Sequence, residues 1–342
     1  MWRWLESISG VELSGDTIAA PFAGDSPEMR RRCVADASRC GTTTPTSVYN
    51  SPTLRSLNHR IVPPSTIMGS PNTIAIAAGK GGVLKTTLAC HLAAAATASY
   101  RRVLLVDLDP QGNTALDFGF ASDGGRSLAR ALTNGDRPEP LRDIRARIDV
   151  LPGGRHLDAA ALTLTRSALD DGSVARLLSQ FDDEYDLIVL DCPARELVLR
   201  RAALSAAAFV VVPSNSDMAS YHGLADLAAT ITEVRRAGND ELEVLAVVAG
   251  PVPSNATGLR GRTLAELGRL IGDPSLLVST TVRASHLTAE RCRAGGQTTA
   301  EYAAQSQNPA SVSLAEDWAA ITREIIHRHL AAVAPSRSGN CL

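Results

Sequence analysis

Lysine is almost absent from this sequence. Of its 34 basic residues only Lys80 and Lys85 are lysines, so arginine is the ordinary positive side chain of this chain. An ammonium group is a compact point charge that fits between phosphate oxygens, whereas a guanidinium group is a bulky planar fork. Two lysines this close together therefore indicate a specific role, and two chance surface lysines are the weaker explanation.

Three other features are scarce, and each argues against a class of protein. The six cysteines are scattered without a Cys-x-x-Cys pair, which favours a reduced, cytoplasmic chain over a disulfide framework. No apolar run approaches the roughly 18–20 residues of a membrane span, and the N-terminus lacks the apolar core of a secretion signal. A net charge of −2 gives no overall basic field for nucleic acid, so any such surface must be local.

Residues 1–70 differ in composition from the rest of the chain. Ser, Thr, Pro and Gly are dense there without a periodic apolar stripe, which predicts a mostly disordered N-terminal extension. An alternative is that the native protein starts at Met68, just before the first strand. Residues 72–333 are predicted to form one folded domain, and residues 334–342 a flexible tail.

From Asn72 onward, strand-like and helix-like segments alternate. Several strands are continuous Val, Ile and Leu runs, as expected for strands covered on both faces. The alternation predicts an α/β fold with a doubly wound, mostly parallel sheet flanked by helices, and a functional site at the carboxyl ends of the strands. The predicted strands are Thr73–Ala78, Val103–Asp107, Ile148–Leu151, Leu187–Asp191, Phe209–Pro213, Val244–Ala249 and Leu277–Thr280.

The first strand runs into a glycine-rich turn and then a helix. Loop amides and a helix N-terminus point at a bound anion, a lysine reaches its terminal oxygens, and a threonine hydroxyl can ligate Mg²⁺. We therefore predict a polyphosphate site formed by Gly79, Lys80, Gly81, Gly82, Val83, Leu84, Lys85, Thr86 and Thr87.

Leu84 departs from the phosphate-binding pattern, which has glycine before the second lysine. If this position needs a positive φ, the β-carbon costs roughly 1–2 kcal/mol. If its φ is already helical, leucine is tolerable because its N–H still points inward. The sequence leaves both conformations open.

Two further apolar strands end in carboxylates. Val103–Asp107 is followed by Leu-Asp109-Pro-Gln-Gly, and Leu187–Asp191 is followed by Cys-Pro. A carboxylate at such a place can hold Mg²⁺, usually through water. Each aspartate taken alone could equally cap a helix or turn, but the three motifs together are much more specific.

With these three motifs the chain resembles the ParA/MinD family of deviant P-loop ATPases, and most closely its ParA-type partition proteins. The resemblance covers about residues 72–333. It implies a P-loop NTPase fold and a cytoplasmic, nucleoid-associated ATPase that uses ATP and Mg²⁺ to help segregate a plasmid or chromosome. It also implies an ATP-dependent homodimer that binds DNA non-specifically, releases it when a ParB-like partner stimulates hydrolysis, and has no membrane contact.

The resemblance also implies roles for individual residues. Lys85 would bind the β- and γ-phosphates, Thr86 would ligate Mg²⁺, Thr87 would contact the α-phosphate, and Asp191 would reach the metal through water. Two residues would be catalytic: Lys80, reaching the nucleotide of the partner subunit, and Asp109, positioning the attacking water.

Two departures keep other functions open. Leu84 replaces the motif glycine, and Ala194-Arg-Glu follows Pro193 where the family usually has proline and small residues. The main alternative is a non-hydrolysing nucleotide sensor or DNA-binding regulator on the same fold. A third is a metabolic P-loop enzyme such as an ATP-dependent amidating synthetase.

Two segments bear on DNA and membranes. Arginines outnumber acids in residues 255–295, and a local excess of positive charge could bind phosphates; a solvated surface is the alternative. The DNA-binding candidates are Arg260, Arg262, Arg283, Arg291 and Arg293. Leu314, Trp318, Ile321 and Ile325 share one helical face that is predicted to pack onto the domain rather than on a membrane.

Overall fold

A computed structural model describes residues 69–166, 172–215, 217–253 and 257–334. The predicted disordered extension, apart from its last two residues, and the predicted tail from residue 335 onward lie outside these ranges, as does Met68.

The predicted parallel sheet is confirmed. Seven strands lie in the order β3-β4-β2-β5-β1-β6-β7, and every neighbouring pair is parallel except β3 with β4. The strands are β1 (Ser70–Ile76), β2 (Val103–Asp107), β3 (Leu141–Arg145), β4 (Ile148–Leu151), β5 (Leu187–Asp191), β6 (Ala207–Ser214) and β7 (Glu243–Ala249). A separate parallel pair joins β8 (Val252–Pro253) to β9 (Arg283–Ala284).

Helices connect the strands and cover both faces of the sheet. Within the described ranges they are α1 (Lys85–Ala96), α2 (Thr114–Phe118), α3 (Arg126–Asn134), α4 (His156–Arg166), α5 (Ser173–Leu178), α6 (Leu197–Ala206), α7 (Met218–Ala237), α8 (Thr257–Ile271), α9 (His286–Gly295), α10 (Thr299–Ser306) and α11 (Pro309–Val333). Among these described helices none is long and apolar enough to cross a membrane.

Continuous apolar strands supply two cores because alternate side chains point to opposite faces of a sheet. In β2, Leu104 and Val106 join the core under α3 to α8, whereas Val103 and Leu105 join the core under α1 and α11. Trp318 and Ile321 of α11 are at most 3% exposed, which confirms that the C-terminal amphipathic helix packs onto the domain.

Two parts of the sheet differ from the sequence prediction. Residues 277–280 were predicted to be a strand, but only Leu277 forms an isolated bridge to Val247, and a short 3₁₀ turn (Pro274–Leu276) precedes it. The antiparallel edge strand β3 was not predicted, because its sequence Leu-Arg-Asp-Ile-Arg is mostly charged and lacks an apolar run.

The sheet order brings the three sequence motifs together. β5 lies between β1 and β2, and Asp191 is in register with Ile76 on one side and Asp107 on the other. The loops that leave the carboxyl ends of these three strands therefore meet at one edge.

Candidate functional site

The glycine loop, residues 77–84 between β1 and α1, has a left-handed backbone at alternate positions. Gly82 has φ 74° and Leu84 has φ 63°. Alternating right- and left-handed residues direct successive backbone N–H groups into one concavity that binds anions. Of the two conformations that the sequence left open for Leu84, the structure has the left-handed one. The loop therefore keeps the phosphate-binding shape without the glycine.

Leu84 holds this conformation at a cost of roughly 1–2 kcal/mol, since its β-carbon crowds the backbone. Its side chain is half-buried and packs against the core under α1 and α11. Its carbonyl oxygen accepts the Leu88 N–H at 2.8 Å, which starts α1. Apolar packing and the first helical hydrogen bond thus offset the strain.

The start of the glycine loop lies directly against α7. A β-carbon at Gly79 would stand 2.0 Å from the carbonyl oxygen of Gly223. No other residue fits there without moving one of the two backbones. The glycine loop and α7 therefore form one packed unit.

Lys80 is bound to the N-terminus of α7. Its Nζ lies 2.7 and 2.8 Å from the two carboxylate oxygens of Asp217, 137 positions away. Asp217 also caps α7 by accepting the Ser220 N–H at 2.7 Å. The hydrogen bond from Lys80 is the main reason why the pKa of Asp217 lies below its usual range.

Two buried carboxylates lie side by side at the ends of β2 and β5. Asp107 accepts hydrogen bonds from the Thr114 hydroxyl at 2.7 Å and the Asp109 N–H at 2.9 Å. Asp191 is fully buried, and neither of its oxygens has a hydrogen-bond partner among the described residues. The unpartnered oxygens of Asp191 thus have the capacity to accept hydrogen bonds from the water shell of a cation.

The environment of this pair disfavours two negative charges. Burial raises the pKa of Asp107 to about 6, although hydrogen bonds from Thr114 and Asp109 act against the rise. Burial, reinforced by Asp107, raises the pKa of Asp191 well above its usual range, and the neighbouring Thr86 hydroxyl and then the Lys85 ammonium act in the opposite direction. A positive ion would relieve the repulsion and favour the ionised form.

A polar cleft of about 570 Å³ opens in front of the glycine loop. Its walls come from the glycine loop and α1 on one side and from the loops after β2 and β5 on the other. Site residues in these walls are Gly81, Gly82, Leu84, Lys85, Thr86, Thr87, Asp109, Ala194, Arg195 and Arg293. Residues from all three sequence motifs therefore line a single cleft, whereas the predicted site residues Gly79, Lys80, Val83 and Asp191 lie outside its lining.

An apolar cavity of about 450 Å³ adjoins this cleft, and Gly82, Leu84, Thr87 and Arg293 line both. Its inner wall is the side chain pair His91 and Trp318, whose rings stack with centroids 4.7 Å apart. Together the cleft and the cavity have the polar and apolar halves that a nucleotide needs.

His91 is held as a neutral ring. Its Nδ1 lies 2.7 Å from the Thr87 carbonyl, which can only accept, and its Nε2 accepts the Thr299 N–H at 3.1 Å. Burial lowers the pKa of His91 below its usual value. The apolar cavity therefore carries no charge on this wall.

Comparison with known proteins agrees with this geometry. Residues 71–244 match the family profile described as "AAA domain". The chromosome-partitioning ATPase Soj of Thermus thermophilus is 37% identical over 193 residues, which cover 56% of this chain and 71% of that protein. The chain belongs to the ParA/MinD family of P-loop ATPases. It spans about two thirds of the length of the curated relatives that it matches.

Solved structures show the same ParA/MinD-type architecture. Apo McdA of Cyanothece has a TM-score of 0.61 at 17% identity, covering 74% of this chain and 99% of that one. Cobyrinic acid a,c-diamide synthase of Mycobacterium smegmatis, solved with an ATP analog and magnesium, has a TM-score of 0.55 at 28% identity. This match covers 69% of this chain and 97% of the synthase chain. The P-loop NTPase fold is thus confirmed.

The arginines proposed for DNA binding are divided by the structure. Arg283 forms a two-point ion pair with Asp317 at 2.6 and 2.8 Å, and Arg293 donates to Asp117 at 2.7 Å. Both arginines also line the apolar cavity. Their guanidinium groups are therefore already bound by carboxylates. Arg262 of α8 and Arg291 of α9 are exposed, and Arg260 of α8 is half-buried. DNA binding by all five stays a prediction.

Sequence reasoning assigned neither Asp217 nor Arg195 to the nucleotide site, and it named Arg293 only as a DNA-binding candidate. Asp217 reads locally as a helix cap, and nothing in its surroundings indicates the bond to Lys80. Arg195 and Arg293 line the polar cleft but belong to no phosphate-binding pattern. Only the departure of the segment after Pro193 from the family pattern drew attention to Arg195.

Proposed function

We propose that the chain is a ParA-type ATPase that binds Mg-ATP in the polar cleft and the apolar cavity. The observation that carries the proposal is the left-handed backbone at Gly82 and Leu84, because it retains the anion-binding loop despite a residue that disfavours it. Lys85, buried at the start of α1, would bind the β- and γ-phosphates, and Thr87 would contact the α-phosphate.

The residues present fit a magnesium ion. The Thr86 hydroxyl lines the polar cleft, and the unpartnered oxygens of buried Asp191 can accept hydrogen bonds from metal-bound water. The described residues contain no cluster of three or more acidic, His or Cys side chains that could hold a metal alone. This composition suits Mg²⁺, which usually keeps water and phosphate ligands and would neutralise phosphate charge.

Hydrolysis in such a site depends mainly on positioning and charge neutralisation. Asp109 lines the polar cleft and accepts the Gln111 N–H at 2.9 Å, which orients its carboxylate. It would position the attacking water. Lys80 would leave Asp217 and reach the nucleotide of a second copy, so that ATP favours a homodimer.

The dimer would bind DNA without sequence preference, inside the cytoplasm and at the nucleoid, and a ParB-like partner would stimulate hydrolysis. Arg260, Arg262 and Arg291 are the candidates for phosphate contact. If each makes one contact, replacing all three by alanine should reduce the slope of log affinity against log salt by roughly 0.9 per contact. Arg126→Ala, on exposed Arg126 of α3, is the matched control.

The central experiment compares the two lysines. Calorimetry with Mg-ATP should show binding to the native chain, loss of binding in Lys85→Ala, and retained binding in Lys80→Ala with loss of dimerisation and turnover. Tight ATP binding without turnover in the native chain, with and without DNA, would favour the non-hydrolysing regulator. No heat on adding Mg-ATP to the native chain would refute the proposal.

A further inference from the structure

Arg200 of α6 is a buried arginine that contacts three separate parts of the site. It is 7% exposed. Its Nη1 donates to the Ala194 carbonyl at 3.2 Å and to the Ala78 carbonyl at 3.5 Å, and its Nη2 lies 3.5 Å from the Thr230 hydroxyl of α7. One guanidinium group thus connects the loop after β5, the glycine loop and α7.

This arginine lacks a neutralising partner. No described carboxylate forms an ion pair with Arg200, and its Nε has no hydrogen-bond partner among the described residues. Burial lowers its pKa, an effect that the Asp226 charge offsets only in part. A buried, unpaired charge costs stability, and an apolar residue of similar volume is often neutral or better at such a place. Stabilisation of the fold therefore does not explain why this position of α6 is an arginine.

The two carbonyl groups that Arg200 holds belong to two different loops at the proposed nucleotide site. Ala78 directly precedes Gly79 and Lys80. Ala194 lies in the 192–196 loop, between Asp191 and α6, and lines the polar cleft. One terminal nitrogen, Nη1, donates to both carbonyls, while Nη2 lies against Thr230, so the two arms of the guanidinium fork connect these two loops with α7.

Arg200 also completes the link to α7. Thr230, which it contacts, is on the same helix as Gly223, which packs on Gly79, and that helix begins at Asp217, which binds Lys80. A displacement of the 192–196 loop would move the Arg200 guanidinium, and with it the start of the glycine loop at Ala78.

We propose that Arg200 is a positioning residue that ties the 192–196 loop to the glycine loop and transmits the state of the nucleotide between them. This inference rests on the proposed function. Arg200 touches neither phosphate nor metal; it acts through the backbone of Ala78 and Ala194.

The test uses the full chain with Arg200→Met, which keeps the apolar stem and removes the charge, and Arg200→Lys. The control is Arg201→Met, on the next residue of α6, whose guanidinium lies 3.9 Å from Glu233. The unfolding temperature of Arg200→Met should equal or exceed that of the native chain, because the substitution removes a buried charge. Its kcat for Mg-ATP should fall about tenfold or more with KM within about threefold, since misplacement affects the reacting geometry more than binding.

Hydrogen exchange gives a second measurement that needs no turnover. In the native chain the peptide spanning residues 192–199 should exchange differently with Mg-ATP and Mg-ADP. Arg200→Met should lose this difference, Arg200→Lys should recover part of it, and Arg201→Met should keep it in full.

The outcomes separate the inference from the proposed function. Native kcat and native nucleotide-dependent exchange in Arg200→Met would overturn the role of Arg200 alone. An unfolding temperature in Arg200→Met far below that of Arg201→Met would show that the residue supports the fold, which also overturns it. If the native chain binds Mg-ATP without turnover, the hydrogen-exchange measurement alone tests the role of Arg200. Failure of the native chain to bind nucleotide would refute the proposed function itself, and the inference with it.

Discussion

The left-handed conformation of Leu84 gives a prediction about stability that reverses a common rule. At an ordinary helical position alanine is more stable than glycine by about 1 kcal/mol. At φ 63° the β-carbon is strained, so we expect Leu84→Gly to be more stable than Leu84→Ala. The comparison removes the contribution of the leucine branch, because both variants lack it, and leaves the strain of the β-carbon opposed by the conformational entropy of glycine.

The magnitude follows from three contributions. Removing the β-carbon recovers roughly 1–2 kcal/mol of strain. The glycine variant loses roughly 0.4–1 kcal/mol of folding stability, because its unfolded chain has greater conformational freedom. The half-buried leucine branch contributes about 1 kcal/mol, about half the value for full burial, and both variants lose it. Leu84→Gly should therefore stay within about 1 kcal/mol of the native chain, and Leu84→Ala should lose about 1 kcal/mol.

The affinity of Leu84→Gly for Mg-ATP should differ little from that of the native chain. If the loop has this left-handed backbone both with and without nucleotide, the strain is a cost of folding and not of binding. Mg-ATP affinity of Leu84→Gly should lie within about threefold of the native value, since a tenfold change needs 1.4 kcal/mol.

Thermal unfolding and calorimetry test both statements, with Leu84→Asn as a control because asparagine tolerates this backbone region. Leu84→Asn should unfold above Leu84→Ala. If Leu84→Ala is at least as stable as Leu84→Gly, the position is not strained. If affinity rises tenfold or more in Leu84→Gly, the loop changes conformation on binding or the branch obstructs the ligand, and our reasoning is wrong.

Three further predictions follow from the site and the core. Asp217→Asn keeps the helix cap but releases Lys80 from its ion pair, so ATP-dependent dimers should form at lower protein concentration in sedimentation experiments; unchanged dimerisation would contradict a restraining role. Asp191→Asn removes a charge from the proposed metal site, so EDTA should weaken ATP binding less than it does in the native chain in calorimetry; an equal effect of EDTA on both proteins would exclude Asp191 from the metal site. His329 is buried and accepts from Tyr100 at Nδ1 while its Nε2 donates to the Pro71 carbonyl, and burial lowers its pKa below 6.5. The unfolded chain therefore binds the proton first, and the stability that His329 contributes is present above pH 6.5 and lost as the pH falls further. The difference in unfolding free energy between the native chain and His329→Gln should shrink between about pH 7 and pH 5.5, and a constant difference would contradict this.

Local residue pattern was enough to predict several elements of the fold. The apolar runs of β2 and β5, each ending in an aspartate, predicted the observed bounds, because strands covered on both faces are rich in apolar side chains. β4 was also predicted with its observed bounds, although the buried Asp149 interrupts its apolar run. The amphipathic period of α11 gave its buried face. The two lysines and the carboxylates at strand ends predicted where the candidate site lies, because parallel strands bring their carboxyl ends to one edge of the sheet.

Tertiary structure alone decided the points that depend on distant contacts. Strand β3 is held by pairing with β4, not by its own composition, so its sequence gave no signal. The φ of Leu84 is set by where the sheet, α1 and the apolar core place the loop, and its local sequence allowed either conformation. Lys80 meets Asp217 across 137 positions, and Arg200 meets Ala78 and Ala194, because packing of α6 and α7 brings them together. Residue pattern determines which segments are buried, but only the packed chain determines which polar groups become neighbours.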